Sequence, residues 1–177
     1  MAKSDPPRLA LDACAWLSII KGEPAAEFVR PLLQQMSAGE VRPVGSTLLL
    51  TEIYKPSNDS RTQQKQSQIL QMLESPQFDL IDVSARIARE AAQLRLAHGF
   101  RTADAIHLAT AKLGRATWFV TMDSELHRKQ PQLVGTAVFL VTERSEVGEF
   151  PWSKPVQEPL IPAPVPSNVL TFPPQDG

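Results

Sequence analysis

Four acidic residues occupy positions where a solvated surface charge is not expected: Asp12, Glu52, Asp104 and Asp123. Asp12 and Asp123 each follow a short apolar run, and parallel strands place such ends at the edge of the sheet where ligands bind. Glu52 and Asp104 fall on the inward side of predicted helices. If the four carboxylates converge, their repulsion calls for a divalent cation. Ligands that are all oxygen favour Mg²⁺ or Mn²⁺ over zinc.

Each acid also has an ordinary structural explanation. Asp123 precedes "SELHRK" and can cap that helix. Asp104 lies in a first helical turn, where an acid gains about 0.3–1 kcal/mol from the helix dipole. Glu52 is harder to explain, because it shares the core-facing stripe with Leu48 and Leu49. A partly desolvated carboxylate there needs a cation, a hydrogen-bond network or water.

The elements that would position these acids alternate between strands and helices. Apolar runs predict strands at 8–13, 41–45, 78–83, 117–123 and 136–141. Helical patterns cover 22–39, 46–55, 61–74, 84–99 and 100–114. Ser84 and Thr102 are the expected N-caps of the last two helices. This alternation predicts an α/β sandwich around a mainly parallel sheet.

Composition places the chain among ordinary globular proteins. A length of 177 residues suits one domain with an appendage, and no apolar run is long enough to span a bilayer. Asp12 interrupts the apolar run at 9–20, which spoils it as a secretory signal. The single cysteine allows no internal disulfide, so we expect a reducing, cytoplasmic location.

Charge is distributed unevenly along the chain. The net charge of −1 argues against a strong nonspecific polyanion binder. Residues 84–130, however, carry 8 Lys and Arg against 4 Asp and Glu. That basic segment predicts either phosphate contacts or an ordinary solvated helix face.

The C-terminal segment has a different composition from the rest. Half of the 16 prolines lie between Pro151 and Pro174, a spacing that excludes a helix. The same segment contains Trp152 and Phe172 among several apolar side chains. We therefore predict that residues 150–177 pack on an apolar groove of this subunit or of a neighbouring one.

Four segments resemble the signature segments of PIN-domain ribonucleases, particularly the VapC-type toxins. In order, they are "LALDACAWL", "STLLLTEIY", "TADAIHLATA" and "FVTMDSEL". The resemblance implies a three-layer α/β/α sandwich over residues 9–141, with a lead at 1–8. The proline-rich tail at 142–177 has no counterpart in the family pattern.

The resemblance also implies an activity and a site. The expected function is Mg²⁺- or Mn²⁺-dependent endonucleolytic cleavage of RNA, with a metal-activated water attacking phosphorus and products that carry 5′-phosphate and 3′-hydroxyl ends. The implied metal ligands and catalytic residues are Asp12, Glu52, Asp104 and Asp123, and the hydroxyl of Thr121 orients the site. The expected partners are an RNA substrate, a cognate antitoxin protein and a second copy in a homodimer.

Two other classes of protein remain as alternatives. One is a noncatalytic binding module in which the acids cap helices. The other is a small-molecule phosphohydrolase, although a haloacid-dehalogenase-type phosphatase would have a second Asp two residues after Asp12, where this chain has Cys14. We interpret Cys14 as a small core residue. We interpret His107 as an ordinary helix histidine, with a metal ligand or a residue that supports the site as the alternative.

Overall fold

A computed structural model describes residues 5–129, 133 and 135–140. The strands are β1 (Arg8–Leu11), β2 (Arg42–Ser46), β3 (Asp79–Ile81), β4 (Trp118–Thr121) and β5 (Ala137–Leu140). The helices are α1 (Ala13–Lys21), α2 (Ala26–Ser37), α3 (Leu48–Ile53), α4 (Ser60–Leu73), α5 (Ala85–His98), α6 (Thr102–Leu113) and α7 (Ser124–Lys129). No helix in this part of the chain is long and apolar enough to cross a membrane.

The five strands form one parallel sheet in the order β3-β2-β1-β4-β5. Strand β1 is central. Strands β2 and β3 lie on one side of it, and β4 and β5, which come later in the chain, lie on the other side. The strand order therefore reverses between β1 and β4, and ligands bind beyond the carboxyl ends of strands at such a point. Asp12 follows β1 and Asp123 follows β4, as the sequence predicts.

Alternation along the strands divides the core into two clusters, one on each face of the sheet. Leu9 and Leu11 of β1 pack with α1 to α4 on one face, whereas Ala10 packs with α5 to α7 on the other. Trp16 is the largest fully buried side chain of the first cluster, and Phe119 is the largest of the second. The result is the expected three-layer α/β/α sandwich.

Close packing of α3 against β2 depends on Gly45. A Cβ atom at this position would lie 2.7 Å from Leu49 Cδ1 and 3.0 Å from the Phe78 ring. The missing side chain lets α3 lie directly on the strand. This contact fixes the helix that carries Glu52.

Some local predictions differ from the structure. Helix α1 was not predicted, because its apolar residues continue the run that begins in β1, and residues 9–20 form one mainly apolar stretch in the sequence. Ser84 caps α5 as expected, since its hydroxyl accepts a hydrogen bond from the amide of Ile87 at 3.3 Å. Thr102 was wrongly predicted as the cap of α6: Arg101 occupies that position and makes no side-chain cap bond.

The predictions for the chain ends are covered only in part. Strand β1 begins at Arg8, the last residue of the predicted lead. The proline-rich tail at 142–177, and with it the predicted packing of residues 150–177, lies outside the described residues.

Candidate active site

Asp12 directs its carboxylate across the sheet edge toward β4. It occupies the N-cap position of α1 but makes no side-chain cap bond. Its Oδ2 atom instead accepts hydrogen bonds from the hydroxyl of Thr121 at 2.8 Å and from the thiol of Cys14 at 3.2 Å. The side chain is buried. Helix capping, the ordinary explanation for an Asp after a strand, therefore does not account for Asp12.

Thr121 links the ends of the two strands that meet at the switch point. Its fully buried hydroxyl donates to Asp12 and accepts from the backbone amide of Asp123 at 3.0 Å. One hydroxyl thus fixes both a carboxylate after β1 and the backbone that leads to the next acid. The orienting role of Thr121 in a metal site stays a prediction of the family resemblance.

Cys14 serves as a neutral hydrogen-bond donor at this site. Burial, followed by the negative charge of Asp12, raises the pKa of the thiol to about 12. The thiol is consequently protonated at neutral pH, where it is a poor nucleophile. Its sulfur also accepts a hydrogen bond from the amide of Met122 at 3.4 Å. Cys14 is therefore a polar neighbour of Asp12 rather than only a core residue.

Asp123 caps the helix that follows it. Its Oδ1 atom accepts from the amides of Glu125 at 2.8 Å and Leu126 at 3.1 Å. The Oδ2 atom makes no hydrogen bond to any described residue. Capping therefore occupies one carboxylate oxygen and leaves the second available for another ligand.

Asp104 carries the least compensated charge of the site. It lies half-buried in the first turn of α6, and within the described residues its carboxylate makes no hydrogen bond or ion pair. Burial raises the pKa of Asp104, and the charges of Asp12 and Asp123 raise it further, whereas Arg101 and His107 act in the opposite direction. Asp12, Asp104 and Asp123 belong to different parts of the chain, and the charges of the other two act on Asp104.

Glu52 belongs to the same region but has a partner of its own. Its Oε2 atom lies 2.6 Å from Nε2 of His107, which is 4% exposed and stands one helical turn after Asp104 on α6. The sequence predicts that Glu52 needs a hydrogen-bond network, and His107 provides the bond. The interpretation of His107 as an ordinary helix histidine misses this contact.

The described residues contain no formed metal site. No group of three or more His, Cys, Asp and Glu side chains within them has an arrangement that could hold an ion. The acids are nevertheless of the right chemical type for Mg²⁺ or Mn²⁺, since carboxylate oxygens are the ligands that these ions prefer. Asp12, Asp104 and Asp123 supply them around one switch point, with Glu52 beside them.

Comparison with known families identifies the domain that carries these residues. Residues 9–130 match the family described as the PIN domain. The chain belongs to the PIN-domain family. The match covers every described residue that contributes to the site of this PIN domain, from Asp12 to Asp123. No curated protein matches the sequence.

Several solved structures share the fold of this PIN-domain protein. VapBC2 from Rickettsia felis, bound to a DNA fragment from its promoter, is 18% identical, with a TM-score of 0.56 over 76% of this chain and 99% of the other. DNA-bound VapBC from Salmonella typhimurium is 16% identical, with a TM-score of 0.54 over 77% and 99%. VapBC-5 from Mycobacterium tuberculosis, a member of the VapBC family of toxin-antitoxin systems, is 15% identical, with a TM-score of 0.51 over 77% and 100%.

Proposed function

We propose that this PIN-domain protein is a Mg²⁺- or Mn²⁺-dependent endoribonuclease. The observation that carries the proposal is the state of Asp104, whose half-buried carboxylate faces the charges of Asp12 and Asp123 without a hydrogen bond from the described residues. Leaving a desolvated carboxylate uncompensated lowers stability. A cation bound beside Asp104 would remove that cost, so the uncompensated charge favours cation binding over a purely structural role.

The acids and Thr121 would have different roles in this reaction. Asp12, Asp104 and Asp123 would hold the ion, and Thr121 would keep the Asp12 carboxylate in a fixed orientation through its 2.8 Å hydrogen bond. When bound, a divalent ion acidifies a water molecule and offsets the charge that develops on a phosphate. The water oxygen forms a bond to phosphorus, the bond to the 3′ oxygen breaks, and a proton ends on that oxygen.

Glu52 would act from the side of the cluster. Its bond to His107 holds the carboxylate near the first turns of α6, where it adds negative charge for a cation or accepts a proton from water. The exposed Arg101 precedes α6 at the mouth of the site, and residues 84–130 carry the basic excess of the chain. Both features favour a polyanionic substrate such as RNA.

Metal dependence and the acidic cluster are tested in one cleavage assay. We expect the protein to cut single-stranded RNA with Mg²⁺ or Mn²⁺ and to lose all cleavage in excess chelator. Asp12→Asn should abolish cleavage while the fold is kept, because the substitution removes charge with almost no change of shape. Cleavage by metal-stripped protein in chelator, or full activity of Asp12→Asn, would contradict this function.

The alternative with structural support is a noncatalytic binding module. The cap that Asp123 makes on α7 favours it, because a capping acid needs no catalytic role. In that case the protein would fold and bind its partner without metal and would leave RNA intact at any metal concentration. The cleavage assay therefore decides between the two functions.

We further propose that the protein is the toxin of a toxin–antitoxin pair in the cytoplasm. The solved structures with the same fold include VapBC toxin–antitoxin proteins, which supports an antitoxin partner. A homodimer stays a prediction of the family resemblance. Expression of the wild-type chain should slow growth, and a cognate partner encoded next to it should relieve the effect. Equal harmlessness of wild type and Asp12→Asn would count against the toxin role.

A further inference from the structure

Tyr54 presents an exposed aromatic ring directly after α3. Its side chain is 69% exposed, and it is the only exposed aromatic side chain among those that the structure describes. It is also the only tyrosine of the chain. Single exposed apolar side chains are common on protein surfaces, so exposure alone has no functional meaning. The surroundings of Tyr54 make the difference.

A buried glutamine holds the backbone on both sides of Tyr54 through hydrogen bonds. Gln66 of α4 is 7% exposed, and its Nε2 atom donates to the carbonyls of Ile53 at 3.3 Å and Lys55 at 2.9 Å. Gln63, one turn earlier on α4, donates to the carbonyl of Ser57 at 2.5 Å. A buried amide must be hydrogen-bonded, so the connection between α3 and α4 has one preferred conformation. The backbone position from which the ring projects is therefore fixed before a ligand binds.

Tyr54 is close in the chain to one of the four acidic residues. It follows Glu52 by two residues, and Glu52 contacts His107 one helical turn after Asp104. The exposed side chain of Lys55 comes immediately after the ring and adds a positive charge. An aromatic face with an adjacent cation is the combination that proteins use to bind unpaired nucleotides, through base stacking and phosphate contact.

We infer that Tyr54 is a stacking platform for an unpaired base of the RNA strand that the acidic cluster cleaves, with Lys55 contacting a neighbouring phosphate. This inference rests on the proposed function and deepens it, because it assigns a residue outside the acidic cluster that contacts the RNA strand. Every base has a flat face, so the platform tolerates different sequences. A duplex hides those faces, and the platform therefore excludes fully paired RNA.

The single tyrosine permits a direct spectroscopic test. When the full-length protein is labelled with 3-fluorotyrosine, its fluorine NMR spectrum reports Tyr54 alone. In chelator, which prevents cleavage, a mixed-sequence RNA strand of about 12 nucleotides should shift this resonance as it binds. An abasic strand of the same length should shift it much less. An unmoved resonance at saturation, with binding confirmed by fluorescence anisotropy, would overturn the inference.

Substitutions of Tyr54 separate stacking from simple apolar contact. Tyr54→Phe should keep the affinity for the RNA strand, whereas Tyr54→Ala and Tyr54→Leu should each weaken it about tenfold, because leucine has no flat ring. In the cleavage assay, the same two variants should raise KM and leave kcat almost unchanged. The ring is exposed, so none of these changes is expected to affect folding.

The outcomes distinguish this inference from the proposed function. If wild type cleaves RNA and Tyr54→Ala has the same KM and RNA affinity, the stacking role is wrong and the nuclease function stands. If wild-type protein neither binds nor cleaves the RNA strand, both fail. If Tyr54→Ala weakens only the complex with a protein partner, the surface serves that partner and the inference is overturned.

Discussion

The acidic residues at the amino ends of the strands (the amino edge) and at their carboxyl ends (the carboxyl edge) have opposite surroundings. At the amino edge, Asp79 begins β3 and forms ion pairs with Arg8 at 2.6 Å and Arg42 at 2.5 Å. The hydrogen bond from Arg42 holds the pKa of Asp79 below its usual value. At the carboxyl edge, Asp104 faces Asp12 and Asp123, and burial together with those charges raises its pKa.

This difference separates structural acids from acids kept for a ligand. Where an acid only supports the fold, this chain supplies arginines that stabilise its charged form. At the carboxyl edge the charge of Arg101 lowers the pKa of Asp104, but the effects of burial and of the neighbouring acids are larger. The cluster thus retains an energetic cost that a bound cation would relieve.

The largest expected effect is a loss of RNA cleavage when an acid at the carboxyl edge is neutralised. Neutralising an acid at the amino edge provides the comparison. Asp104→Asn should lower kcat/KM at least about a hundredfold, because it removes a ligand charge from the site. The matched control Asp79→Asn should stay close to wild type, since that residue lies at the opposite edge. Equal losses in the two variants would mean that the edges do not differ in function.

A smaller loss of activity should follow from changing the partner of Glu52. His107→Leu removes the hydrogen bond to Glu52 and should cost about tenfold in kcat, in the range measured for residues that orient ligands. His107→Gln can place an amide nitrogen near the position of Nε2 and should recover much of the loss. If Gln and Leu variants of equal thermal stability are equally slow, the bond to Glu52 does not orient the site.

The same contacts show how far the sequence alone determines the site. The positions of Asp12 and Asp123 after strands could be predicted, because each follows a short apolar run that predicts a strand. The need of Glu52 for a partner could also be predicted from its helical position. The identity of the partner could not, since Glu52 and His107 are separated by 55 residues and meet only through the packing of α3 and α6 against the sheet.

Other features depend on tertiary structure in the same way. Helix α1 follows β1 after a single residue and most of its side chains are apolar, so the sequence does not separate the helix from the strand. The hydroxyl of Thr102 is a good cap in isolation, but the chain enters α6 one residue earlier. The hydroxyl of Thr121 meets Asp12 only because β1 and β4 are paired in the sheet. Local patterns thus predict the acids, and packing determines their neighbours.

The smallest effects concern stability, and they should have opposite signs at the two edges. At pH 7, Asp79→Asn should lower the free energy of unfolding by about 1 kcal/mol, since the ion pairs are partly exposed. Asp104→Asn should raise it by up to about 1 kcal/mol, because it removes an uncompensated charge. Urea unfolding of both variants without metal measures the two changes. Destabilisation by both would show that Asp104 has a structural partner.

The pH dependence of these changes follows from the two pKa shifts. The pKa of Asp79 is lowered by folding, so its contribution is complete above the unfolded value of about 3.9 and is lost as pH falls through the folded value. The pKa of Asp104 is raised, so its cost is complete above the folded value and disappears below about pH 3.9. The increase in the free energy of unfolding that Asp104→Asn produces should therefore vanish below about pH 3.9.

Binding of Mn²⁺ to the full-length protein tests the central claim most directly, because it requires neither an RNA target nor a partner. Calorimetric titration at pH 7 should show binding to the wild-type protein and at least about tenfold weaker binding to Asp104→Asn. Asp79→Asn should bind the ion as wild type does. If the three proteins bind Mn²⁺ with the same affinity, or none of them binds it, the acids at the carboxyl edge do not form a cation site and the account is contradicted.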